Sequence, residues 1–85
     1  MTMLEYDADC DALYARISNA AICSTAEIDL STMVDLDAAG HVVGVEVLNP
    51  GRIWPLAAIL RRFPDITDED AATLVGACPF AGGKP

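Results

Sequence analysis

Basic residues are scarce in this sequence: five Lys and Arg stand against thirteen Asp and Glu, for a formal net charge of −8 over 85 residues. A field of that sign repels phosphate backbones and anionic lipid surfaces, which excludes nucleic acid and membrane as expected partners and favours a basic protein or a cation. Long apolar runs are missing too. No stretch approaches the roughly 18–20 residues needed to span a bilayer, and the N-terminus lacks the basic flank and apolar core of a secretion signal, so a cytoplasmic protein is expected. The three cysteines, Cys10, Cys23 and Cys78, are odd in number and far apart, with no C-x-x-C pair and with His41 as the sole histidine. That spacing suits neither a zinc site nor a disulfide framework, so three reduced thiols are expected and no cofactor is implied.

Apolar side chains, by contrast, are plentiful: 53% of the residues are hydrophobic and 21% are charged. A chain of this length buries only about 60–65% of its unfolded surface. Its thin core cannot hide all of that material, so self-association is expected, with a twofold homodimer as the default. No internal repeat, low-complexity segment or linker interrupts the chain, which predicts a single domain over residues 1–85 with a β-meander over 4–49 and a helical extension over 50–80.

Leu4-Glu5-Tyr6 alternates and runs into the acidic turn Asp7-Ala8-Asp9-Cys10-Asp11. From Ala12 to Ser18, Leu13, Ala15 and Ile17 fall on one face and Tyr14, Arg16 and Ser18 on the other, as in a half-buried strand. Ile22, Ser24, Ala26 and Ile28 form a weaker strand ending near Asp29. The clearest unit is a hairpin over 32–48, closed by Asp37-Ala38-Ala39-Gly40, where Asp37 accepts turn amides and Gly40 supplies positive φ. Its second strand puts Val43, Val45 and Val47 toward the core and Val42, Gly44, Glu46 and Leu48 on the opposite side. Asn49-Pro50-Gly51 then stops the sheet. Pro55, Leu56, Ile59, Leu60 and Phe63 predict a short amphipathic helix ended by Pro64. Thr67 ahead of Asp68, Glu69 and Asp70 predicts a capped second helix fading near Gly76–Pro79, before a frayed tail over 81–85.

Several constellations have residue types suited to chemistry. Asp7, Asp9 and Asp11 match the opening of a calcium loop, but Ala12 stands where Gly is needed and Ser18 where the bidentate Glu belongs. Asp7 and Asp11 are therefore expected to order the turn through backbone hydrogen bonds. Asp35, Asp37 and Glu46 fall on paired strands, and carboxylates so placed serve as general acid and base or as Mg²⁺ ligands. The blander alternative is a solvated polar face with Arg16 as countercharge. His41 has no neighbouring Ser or Cys to activate. Trp54 and Phe63 are candidates for a partner-binding surface, or for pinning a helix to the sheet.

Taken in order, Tyr6-Asp7, Asp11-Ala12-Leu13-Tyr14, Asp35-Leu36-Asp37 with Gly40, and Val43-Gly44-Val45-Glu46-Val47 resemble the bacterial family known as domain of unknown function 2283, over about residues 4–49. The sequence departs from that pattern at Ala15, where a larger β-branched residue is usual, and at Ala38-Ala39, where charged residues are common. The resemblance implies a fold and no catalytic residue. Small members of that family can neighbour toxin-like genes, which hints at an antitoxin role.

The expected fold is therefore α+β: an antiparallel β-meander of four to five strands with two short C-terminal helices packed on one face. The expected function is a non-enzymatic interaction module, self-associating and binding a basic protein in the manner of an antitoxin. The alternative is a small metal-dependent hydrolase or ligand-binding protein using Asp35, Asp37 and Glu46.

Overall fold

Alternating apolar and polar residues build five strands, β1 (Met3–Asp7), β2 (Ala12–Arg16), β3 (Ser24–Asp29), β4 (Thr32–Leu36) and β5 (Val42–Leu48), followed by α1 (Leu56–Arg62) and α2 (Asp68–Ala77). This is a computed structural model, and it describes residues 2–78. The expected boundary of the helical extension at residue 80 and the frayed tail lie outside the described residues. The expected α+β class is the observed one: a five-stranded antiparallel sheet with two C-terminal helices.

The strand order is β1-β2-β5-β4-β3. Sequential neighbours pair in the β1–β2 hairpin and in the β3–β4–β5 run, and pairing of β2 with β5 joins the two pieces. The last strand in sequence is thus the central one in space. Its burial follows from what covers it: Val42, Val45 and Val47 face the helical layer, and the Tyr14 ring lies over Gly44 on the other side. Val42, Val43, Gly44, Val45 and Val47 are all buried.

A bulge alters the faces of β5. Asp35 pairs with Gly44 and Leu36 with Val42, leaving Val43 inserted without a partner in β4. The Val43 carbonyl instead accepts hydrogen bonds from the amides of Ile17, at 2.8 Å, and Ser18, at 3.0 Å. Simple alternation places Val42 opposite the valine row, and the extra residue corrects that: Val42 belongs to the core cluster with Val34, Val45 and Val47.

The helices cover one sheet face, where Trp54, Ile59, Phe63, Ile66 and Leu74 pack with Ala15, Val34, Val45 and Val47. Burying each such side chain contributes about 1.5–3 kcal/mol. α1 ends where the proline effect requires: Phe63, just before Pro64, has φ −123° and ψ 76°, outside the helical region. α2 begins at Thr67, whose hydroxyl accepts the Asp70 amide, and three acidic residues fill its first turn. Asp70 also accepts the Thr2 hydroxyl at 2.6 Å. The Thr2 bond, followed by that from Thr67, holds its carboxyl below the usual range against the opposing effect of burial. Asp65, between the helices, accepts the Val42 amide at 2.9 Å, which ties the helical layer to the start of β5. Among the described residues no helix is long and apolar enough to cross a membrane.

Candidate functional site

The sheet face opposite the helices is organised by strand register. Side chains of paired residues point to the same side, so each cross-strand row of partners forms a line on the surface. The central row is Glu5, Tyr14, Glu46, Met33 and Glu27, running from β1 to β3 through all five strands. Beside it runs Met3, Arg16, Gly44, Asp35 and Thr25. On the other flank lies the shorter row Asp7, Ala12 and Leu48. A trough of about 650 Å³ follows this face, lined by Glu5, Asp7, Tyr14, Asp35, Glu46 and Leu48 among others.

Tyr14 is the structural centre of the face. Its ring leans from the central row across Gly44, so closely that a Cβ at position 44 would fall on the ring and hydroxyl. Only glycine leaves room for this crossing. The hydroxyl donates to Asp35 Oδ2 at 2.8 Å, while Thr25 Oγ1 donates to Asp35 Oδ1 at 2.7 Å. Burial first, and the bond to Asp35 second, push the Tyr14 phenol up to about 12, against a lowering influence from Arg16. The Arg16 guanidinium lies over the Tyr14 ring, 5.4 Å from its centroid. It therefore serves the aromatic ring, and no ion pair with Asp35 or Glu46 is formed as its expected countercharge role would require.

The three carboxylates considered for catalysis are not gathered. Asp35 and Glu46 are diagonal neighbours in adjacent rows, and Asp35 is occupied by two hydroxyls. Asp37 sits in the hairpin turn, where its Oδ1 accepts the amides of Ala39 and His41, both at 2.9 Å. His41 is exposed beside it. Cys10 also lines the trough, but the negative charge of Asp7 raises its thiol pKa and disfavours the reactive thiolate. Among the described residues no group of three or more His, Cys, Asp or Glu could hold a metal ion.

Asp7 orders its turn through backbone amides as expected, whereas the Asp11 carboxylate bonds a side chain, the Tyr6 hydroxyl, instead of the backbone. Asp7 Oδ1 accepts the amides of Asp9, at 3.0 Å, and Cys10, at 3.4 Å. Asp11 adopts φ 49° and accepts the Tyr6 hydroxyl at 2.6 Å, while Gly40 adopts φ 83°. Trp54 and Phe63 do not form a partner-binding surface. They are 4% and 7% exposed within the core, and the Trp54 indole donates to the Pro50 carbonyl at 2.8 Å. Their apolar area is taken up by the sheet, so none is left for a partner.

Sequence reasoning assigned no role to Tyr14, Gly44, Thr25, Glu5 or Glu27. A glycine in the middle of a valine-rich strand was the one local signal, since it often marks a close approach of another group. Arg52 was also missed: it donates to the carbonyls of Leu48 and Ile53, each at 3.0 Å, and to Thr32 Oγ1 at 2.6 Å, and lies 3.7 Å from Asp29. That set closes the end of the sheet remote from the Asp35 row.

Residues 3–49 match a family model described as Protein of unknown function (DUF2283). The matched span holds all five strands and every residue of the open face. No curated protein and no solved structure matches the chain.

Proposed function

Because the chain belongs to the DUF2283 family, whose description assigns no activity, its function must be argued from geometry, and we propose a non-enzymatic interaction module that self-associates and binds a basic protein. The observation that carries this reading is the uneven covering of the sheet. Helices occupy one face, whereas the other face and the edge strand β1 are uncovered among the described residues, and all five residues of β1 are exposed. An open edge offers unpaired backbone groups to another strand, and here it also presents Met3, Leu4 and Tyr6, 65%, 45% and 56% exposed. The opposite edge is blunted, because β3 carries a register irregularity between Glu27 and Asp29. Pairing of β1 with β1 of a second copy is the self-association this arrangement favours.

A basic protein, bound as an antitoxin binds its toxin, is the second element of the proposal and follows from the charge of −8. The hydrolase alternative has less support, because Asp37 is committed to its turn and Asp35 to two hydroxyls rather than to a shared, partly dry pocket. Light scattering at tens of micromolar protein tests the self-association: about twice the 9.0 kDa chain mass is expected. A Leu4→Lys/Tyr6→Lys variant should return to the single-chain mass. A parent protein already at 9.0 kDa would remove self-association from the reading.

A further inference from the structure

We infer that the open sheet face docks an α-helix of a partner protein, lying across the strands, with a basic residue at every seventh position and apolar residues midway between. The inference rests on the interaction-module reading and adds the shape and chemistry of the partner. Its basis is the central row, in which Glu5, Glu46 and Glu27 occupy alternate strands β1, β5 and β3, separated by Tyr14 and Met33.

Neighbouring strands lie about 4.8 Å apart, so the three carboxylates repeat at about 9.6 Å. Helical residues seven apart share a face and are separated by about 10.5 Å. The mismatch of about 1 Å per step is small beside the reach of a Lys or Arg side chain. An extended strand laid the same way presents same-side residues at about 6.6 or 13 Å, and fits neither interval. Met33, half-buried between Glu46 and Glu27, meets an apolar residue of such a helix at one intervening turn. The Tyr14 side chain, rooted between Glu5 and Glu46 with its ring over Gly44, flanks the other.

Charge supports the same occupant. The carboxylates of Glu5, Glu27 and Glu46 form no hydrogen bond or ion pair with another described residue, and Arg16, the cation on this face among the described residues, is engaged with Tyr14. A second copy of this chain does not supply the helix. α1 carries only the adjacent pair Arg61 and Arg62 at its end, and α2 has no basic residue. Face-to-face pairing of two copies would also set these glutamates against each other, which is unfavourable.

The test uses the full chain and two synthetic helical peptides of identical composition, one with lysine at every seventh position and leucine between, the other with the lysines at every fourth. Fluorescence anisotropy at moderate salt should show the first binding at least about tenfold tighter, a difference of about 1.4 kcal/mol. Glu27→Gln/Glu46→Gln should abolish that preference. Asp68→Asn/Glu69→Gln removes the same charge from α2 and should retain it. Equal binding of the two peptides, binding of neither, or equal effects of the two variants would overturn the inference and leave only attraction by net charge. Light scattering on the same samples separates the two proposals: a chain that self-associates without discriminating the peptides loses the helix inference alone, and a discriminating monomer loses self-association alone.

Discussion

Tyr14 on β2 and Asp35 on β4 are joined by a 2.8 Å hydrogen bond although β5 lies between their strands. The bond exists because Gly44, directly opposite Asp35 in register, has no side chain to block the phenol ring. Strands β2, β5 and β4 are thereby locked by a side-chain contact in addition to their backbone ladders. The residues that resemble the family's motifs meet at this point, with Tyr14, Asp35, Gly44 and Glu46 on one face.

Gly44→Ala should therefore be costly even though alanine is the smallest replacement. Displacing the ring adds overpacking of about 1–3 kcal/mol to a lost hydrogen bond of about 0.5–1.5 kcal/mol. In a Tyr14→Ala background the same change should cost much less, because the obstacle is gone. Chemical denaturation of both single variants and the double variant measures this coupling, and additive losses would show that the ring does not cross position 44.

The Tyr14 phenol should titrate near 12, well above the ordinary 10.0, in an ultraviolet absorbance titration. A raised value in the folded state means the neutral phenol is the form the fold accommodates. Its stabilising contribution is complete below pH 10.0 and is lost as pH rises toward about 12, so the melting temperature should fall across that window. Asp35→Asn should move the midpoint down only part of the way, since burial is the larger cause and remains. Tyr6 should titrate above 10.0 as well, chiefly through its bond to Asp11, so Tyr6→Phe is needed to isolate the Tyr14 signal.

Gly40→Val should destabilise by more than about 1 kcal/mol, because its φ of 83° is strained for a β-branched residue although space around it is open. Gly40→Asn should lose distinctly less. Similar denaturation midpoints for the valine variant and the parent would show that the hairpin does not use this conformation.

Trp54→Ala and Phe63→Ala should each cost about 3–5 kcal/mol of stability, as expected for large buried aromatics. Variants at these sites that kept full stability while losing a partner would contradict the packing of α1 on the sheet.

Calorimetric titration with Ca²⁺, Mg²⁺, Mn²⁺ or Zn²⁺ should give only weak, non-stoichiometric heats. Asp7 and Asp37 spend carboxylate oxygens on turn amides, and Asp35 spends both of its oxygens on hydroxyls. Stoichiometric micromolar binding abolished by Glu46→Gln would move the metal-dependent alternative ahead of the interaction module.

The sequence by itself determined what depends on near neighbours along the chain. Alternation placed all five strands, Asp7 and Gly40 marked their turns, Thr67 marked the start of α2, and Pro64 marked the end of α1. Each is a local preference, complete within a few residues. Only the tertiary structure decided that β5 lies between β2 and β4, because pairing across some thirty residues is chosen by burial of the whole apolar set. The same pairing put Glu5, Glu46 and Glu27 in one row and brought Tyr14 to Asp35. The bulge at Val43 then turned Val42 inward, since one unpaired residue reverses the side to which every residue beyond it points, and alternation carries no mark of where such a residue will fall.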